Sequence, residues 1–223
     1  YYEWANKVVA KVREKYPDRY FGLLGYSRVS IPPENTKLDD HIVPVLAWDF
    51  RYFDDPAARA KSEAHVSKWN QAAGTLGWWD YTFEGSYLIP AFSAHHVADT
   101  LKYLHKKGLR FYFDELHPGE YFRNAPQEYM ERRLLWDITL DPDDLLKEWA
   151  ELAVGKEAAP LMLDYFWLWE EYWTTEVPKT EWYRERVDGS FVAPFLDRRF
   201  CGYMDRLTPG RVATAGELLR VTV

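Results

Sequence analysis

Residues 108–115 read Gly108-Leu-Arg-Phe-Tyr-Phe-Asp-Glu115, and residues 74–81 repeat the rhythm as Gly74-Thr-Leu-Gly-Trp-Trp-Asp-Tyr81. Each follows an amphipathic helical pattern that stops at glycine, continues as an apolar strand and ends on a carboxylate. A strand entered from a helix runs parallel to its neighbours, because the crossover returns the chain in the same direction. In parallel α/β proteins the carboxyl ends of such strands carry the ligands. Asp80, Asp114 and Glu115 therefore stand where catalytic acids stand. Alternation along the strand turns Asp114 toward the helices and Glu115 to the other face.

The rest of the chain fits the same plan. Residues 1–16 place Trp4, Val8, Val12 and Tyr16 on one helical face. Short apolar runs at 21–26 and 41–48 read as two further strands, although Pro44 sits inside the second. Asp55-Pro56 supplies a cap and a first-turn proline for a helix ending near Gly74, and Ser93 is expected to cap the helix that ends at Gly108. Helices are expected over 125–136, from Asp141-Pro142 to Gly155, and over 156–175, with only short segments beyond Pro178. The aromatic stripe Met162, Tyr165, Phe166, Trp169, Tyr172 and Trp173 reads as packing. Four strands do not close an eight-stranded barrel, which takes roughly 250 residues. Two architectures remain: half a barrel with a helical extension, or a small open α/β domain.

Composition narrows the chemistry. Among 223 residues 17% are aromatic, with 11 Trp and 16 Tyr. Rings with an apolar face and a polar edge suit a large core, and equally suit pyranose sugars, which are apolar on one face and polar at the rim. A net charge of −7 and a pI near 5.4 leave no basic surface to neutralise phosphates, so nucleic acid is excluded as a partner. No apolar run approaches the length of about eighteen residues that inserts into a membrane. Cys201 is the only cysteine, so no intrachain disulfide forms. His95 and His96 are adjacent, point about 100° apart on a helix and lack a third ligand at suitable spacing, so no metal is expected. Gly22 and Gly25 make no phosphate-binding fingerprint, and no cofactor is expected. The chain opens without methionine inside a helical pattern, as an excised piece of a longer polypeptide would.

The segments Leu76-Gly-Trp-Trp-Asp-Tyr81, Tyr87-Leu-Ile-Pro90, Phe111-Tyr-Phe-Asp-Glu115, Leu134-Leu-Trp-Asp137, Ala153-Val-Gly-Lys-Glu-Ala-Ala-Pro160 and Trp167-Leu-Trp-Glu-Glu-Tyr-Trp173 occur in this order. Together they resemble a bacterial glycoside-hydrolase-like family long catalogued as a domain of unknown function. That family is similar to the barrels of α-glucuronidases and β-hexosaminidases and includes endo-β-N-acetylglucosaminidases. The resemblance implies the C-terminal part of a TIM-like (β/α)8 barrel with parallel strands. Residues 1–124 would be its second half and 125–223 a helical extension packed on it, with the N-terminal half supplied upstream in the parent chain. It also implies a glycan or oligosaccharide substrate and a secreted or periplasmic location. Matching positions imply that Trp79, Asp80, Tyr81 and Glu115 line the sugar pocket, with Tyr26, Trp48 and Arg51 at the ends of the earlier strands. Ala91 stands where the family pattern carries Arg after Ile-Pro, which removes a cation suited to an acidic sugar.

Glycoside hydrolysis needs two carboxyl groups, or one acid together with the substrate's own acetamido group. Glu115, preceded by Phe111, Tyr112 and Phe113 and near Tyr121, suits the acid, since an apolar lining disfavours the charged form. Asp80 between Trp79 and Tyr81 is expected to hold a sugar hydroxyl or orient the acetamido group; capping the following amides is the alternative. The expected function is glycoside hydrolysis on N-acetylhexosamine- or uronate-containing glycans. A noncatalytic carbohydrate-binding module and an interaction domain are the rivals.

Overall fold

The computed structural model describes residues 1–48, 55–81, 87–115, 121–189 and 201–222. Four strands, β1 (Phe21–Gly25), β2 (Ile42–Ala47), β3 (Leu76–Asp80) and β4 (Leu109–Asp114), form one sheet in the order β1-β2-β3-β4, parallel throughout. Pro44 is tolerated in β2 because the ladder with β3 begins one residue later, at Val45 opposite Gly77. Three of the strands are reached from an α-helix: α1 (Tyr2–Arg13) precedes β1, α2 (Pro56–Ala72) lies between β2 and β3, and α3 (Ala94–Lys106) between β3 and β4, whereas β1 and β2 are joined by a 3-10 turn (Ser27–Val29) and loop.

Local signals account for several of these boundaries. The Asp55 carboxylate accepts from the amides of Ala57 and Ala58 at 3.0 Å, with Pro56 in the first turn. Asp141 caps α5 (Pro142–Val154) in the same way. Gly108 takes φ +89°, which an L side chain rarely adopts, and so turns α3 directly into β4. Gly77 has a steric reason instead: an added Cβ would lie 2.9 Å from Val45 Cγ2 and 3.3 Å from Val45 Cα.

The sheet has two unlike faces. Leu23, Ile42, Leu46, Leu76, Trp78 and Leu109 pack into a core with Ala5 and Val9 of α1, Val66 and Trp69 of α2, and Leu104 of α3. All three helices thus cover the same side. On the opposite side Leu24, Phe111 and Phe113 stay about half exposed, and neither they, Val45 nor Trp79 joins a core cluster. Parallel sheets are ordinarily covered on both faces.

A second core is helical. It gathers Phe92, Leu101, Met130, Leu146, Phe166 and Trp173 from α3, α4 (Tyr121–Trp136), α5, α6 (Ala159–Glu171) and the intervening chain. Tyr87, Trp173, Trp182 and Tyr203 form an aromatic group within it, with ring centroids 5.0 to 6.4 Å apart.

The structure corrects several local expectations. The Trp4, Val8, Val12 and Tyr16 face of α1 is exposed, and Ala5 and Val9 are buried in its place. The small side chains let α1 approach the sheet closely, which Trp4 would prevent. Helix α4 starts at Tyr121 rather than Ala125, with Pro126 inside it, and runs across residue 124. Helix α6 is shorter than 156–175 and passes into a π-helical turn over Tyr172–Glu176. Beyond Pro178 lie α7 (Glu181–Gly189) and α8 (Pro209–Thr222) in place of short segments only.

Ser93 makes no side-chain cap on α3. The amide of His95 donates instead to Glu170 Oε1 at 2.8 Å, so α6 supplies the cap from 75 residues away. The His95 ring lies between two carboxylates, with Nδ1 2.6 Å from Glu170 Oε2 and Nε2 2.8 Å from Asp143 Oδ1. The Glu170 hydrogen bond, reinforced by both charges, raises its pKa to about 9. A raised histidine stabilises the folded state fully below its unfolded value near 6.5, and that contribution is lost as pH climbs through about 9. The ring is 42% exposed, so solvent weakens the effect. His95→Gln is expected to flatten the fall in melting temperature between about pH 7 and 10. Melting temperatures that fall in parallel for the two proteins across that range would show that the His95 ion pairs contribute nothing to stability.

Candidate functional site

The helix-free face meets the carboxyl ends of the strands at Trp79 and Glu115. Alternation puts Trp79 and Tyr81 on this face of β3, and Phe111, Phe113 and Glu115 on the same face at β4. The Trp79 indole N–H donates to Glu115 Oε1 at 2.9 Å. Its ring lies 4.2 Å from that of Phe113, tilted by 38°. The Glu115 amide donates to the Asp80 carbonyl oxygen at 3.3 Å, which continues the β3–β4 pairing past the last strand residue. The pair sets a carboxyl group, fixed by an indole N–H, beside two aromatic rings on the exposed face of the sheet.

Tyr26 belongs to the same face. Its backbone is extended (φ −131°, ψ 150°) and carries on the alternation from Leu24, leaving the ring 41% exposed. Ser27, the next residue, adopts φ 55°, the only positive value for a non-glycine among the described residues. It turns the chain away at the carboxyl end of β1. Two strand spacings separate β1 from β3, roughly 10 Å, so Tyr26 and Trp79 stand across a surface wide enough for a sugar ring.

Two expected contacts are turned away. Trp48 is 2% exposed, shares the helix-side core with Leu46, donates its indole N–H to Ser62 Oγ at 3.2 Å and stacks on His65 at 4.2 Å. Burial lowers the pKa of that histidine to about 4. Asp80 shares the parity of Trp78 and also points to the helices. Its Oδ1 accepts from the Tyr81 amide at 2.7 Å, and its Oδ2 accepts from the Tyr112 hydroxyl at 3.0 Å. It has therefore the amide-capping role, and faces away from Glu115. Arg51 lies outside the described residues, as does the side chain of Tyr121.

Sequence reasoning missed Tyr112 and Glu131. Tyr112 stands opposite Trp78, on the helix side of β4, as Asp114 does opposite Asp80. Glu131 belongs to a polar face of α4: Asn124, Gln127 and Glu131 are all buried, and Gln127 Oε1 accepts from the Ser93 amide at 2.8 Å. The spacing of these three residues puts them on one helical face, which was the available signal. Burial, followed by the charges of Asp114 and Asp80, raises the Glu131 carboxyl well above its usual range.

Among the described residues, two cavities lie away from this pair. One of about 520 Å3 runs along the outer edge of β4, lined by Phe111, Leu135 and Trp136 among others. One of about 550 Å3 lies between Ile31 to Lys37 and the end of α2. Among the described residues no group of three His, Cys, Asp or Glu is arranged to hold a metal ion, and no helix is long and apolar enough to cross a membrane.

No curated protein and no solved structure matches the chain. The family described as "Domain of unknown function (DUF4838)" matches residues 1–166 of the 223. The match takes in all four strands, the Trp79–Glu115 pair and most of α6, and the chain belongs to this family.

Proposed function

We propose that the chain is the carboxyl-terminal half of a (β/α) barrel glycosidase acting on N-acetylhexosamine- or uronate-containing glycans, with Glu115 as its acid. The observation that carries this reading is the Trp79–Glu115 hydrogen bond of 2.9 Å beside the Phe113 ring, at the carboxyl ends of parallel strands. Support for a half barrel comes from the sheet. Its strands follow chain order, its helices lie on one side, and its other side is apolar and half exposed. Four more strands, supplied upstream in the parent chain, would pair both edges and enclose that face.

In this reading Trp79, Tyr81 and Tyr26 hold the sugar and Glu115 protonates the leaving oxygen. The second carboxyl group comes from the other half, or the substrate's acetamido group takes its place. Asp80 supports the strand end and does not touch the sugar.

Glycan release by the full-length parent chain, wild type against Glu115→Gln, over glucosamine- and uronate-capped oligosaccharides, tests the proposal. Turnover is expected to fall roughly a hundredfold or more with binding and melting unchanged. Equal turnover would remove Glu115 from the chemistry. The exposed Phe113 ring beside Trp79 also fits a noncatalytic sugar-binding platform, in which both proteins bind glycan and neither releases it.

A further inference from the structure

β4 is an end strand. Among the described residues it pairs with β3 alone, so its outer edge forms no second ladder. The cavity of about 520 Å3 lies along that edge, beside Leu109 to Tyr112. Leu101 of α3 and Leu134 of α4, both buried, form its floor. Phe111, Leu135 and Trp136 form its mouth, and Trp136 is 93% exposed. The last turn of α4 therefore overhangs the edge of β4. The Leu109 carbonyl oxygen accepts from the Arg110 guanidinium at 2.5 Å, a neighbouring side chain in the place of a strand amide.

A groove with a strand edge on one wall and a helix end on the other is shaped for an extended chain. A small apolar ligand would fill the volume and leave the edge of the sheet unpaired. We propose that this groove takes the first strand of the upstream half, parallel to β4, and that α4 covers the resulting seam from outside. This rests on the half-barrel reading above and names the segment that completes it.

The helix already in place decides which strand enters. α4 stands on the helix side of the groove, so the incoming strand must arrive without a helix packed ahead of it. β1 of a second copy fails that condition: Ala5 and Val9 hold α1 against the helix side of Leu23, and α1 would be driven into α4. A strand that opens a series of strand–helix units has its own helix on the side away from β4, and fits. Its composition follows from alternation. One set of side chains turns toward Leu101 and Leu134, the other lies beside Phe111, and both surroundings are apolar. The segment is thus a continuous apolar run of about five residues, as in strands buried on both faces.

Photo-crosslinking in the full-length parent chain tests the seam. The photoreactive residue p-benzoylphenylalanine takes the place of Trp136, whose exposure means that no core contact is lost. Irradiation is expected to give an intramolecular cross-link that maps by mass spectrometry to an apolar strand at the start of the upstream half. Cross-linked dimers would assign the groove to a second copy, and cross-links to any other segment would give it a different occupant; either result overturns the proposal. Hydrogen exchange needs no substitution. Amides of Leu109–Asp114 in the parent chain are expected to be as protected as those of β3, which has a strand on each side. Exchange roughly tenfold or more faster in β4 than in β3 would leave the edge open and overturn the seam. No sugar enters either measurement. Equal turnover in Glu115→Gln would strike the glycosidase and leave the seam standing, whereas an open edge would strike the seam and leave Glu115 to be judged by turnover.

Discussion

Replacing Trp69 with alanine is expected to cost about 3–5 kcal/mol of folding stability, a large share of the roughly 5–15 kcal/mol that holds a domain together. The ring is fully buried between α2 and the sheet. It lies so close to β1 that a Cβ on Gly25 would sit 3.5 Å from its Cζ2, and the Tyr2 ring meets it edge-on at 5.8 Å. Its indole N–H donates to the Ser30 carbonyl oxygen at 2.8 Å, tying the chain after β1 to α2. Alanine would leave a cavity that the strands cannot fill by shifting, since their ladders fix them. It would also leave a buried carbonyl without its partner. Urea unfolding measures the effect as a lower midpoint with an unchanged slope. Trp69→Phe keeps most of the packing and loses only the hydrogen bond, so its midpoint should fall between the two. A loss below about 1 kcal/mol for alanine would mean that the site collapses around the void.

Trp173→Ala is expected to be of similar size, about 3–5 kcal/mol, in the helical core. Trp173 is 1% exposed, donates to the Pro90 carbonyl oxygen at 2.5 Å, stacks on Tyr203 at 5.5 Å and meets Tyr87 edge-on at 5.0 Å. Tyr203 accepts from the Leu88 amide and receives the Tyr172 hydroxyl on its own carbonyl oxygen. One indole therefore joins the chain after β3 to the region around Tyr203, more than a hundred residues later. Hydrogen exchange should show protection falling first at Leu88 and around Tyr203. Tyr112 and Val187 pack against both cores, so each tryptophan variant should still unfold in a single transition. Two resolved transitions in either variant would show that the cores melt separately.

Much of the architecture is written in short stretches of sequence. Asp55-Pro56 and Asp141-Pro142 start helices because the carboxylate satisfies amides two and three residues ahead, which is a local interaction. Gly108 ends α3 because its own backbone tolerates positive φ. The opposite directions of Asp114 and Glu115 follow from strand alternation alone. Where propensity had to compete with tertiary packing, local reading failed. Trp4, Val8, Val12 and Tyr16 form an apolar face by spacing, yet the face that docks is the one small enough to fit, at Ala5 and Val9. Ser93 is a good cap by residue type, but Glu170 reaches the amide of His95 first.

The sequence by itself determined the strand–helix alternation, the parallel direction of the strands and the presence of an acid at the end of β4. Tertiary structure decided which of the neighbouring groups meet that acid. Trp79 reaches Glu115 across 36 residues, and Asp80 reaches Tyr112 across 32. It also turned Trp48 and Asp80 toward the helices, because α2 and α3 cover the face on which Leu46 and Trp78 already lie. Caps, turns and alternation depend on atoms a few bonds apart, so they can be read along the chain. Which face is buried depends on what packs against it, and that is settled only when distant segments meet.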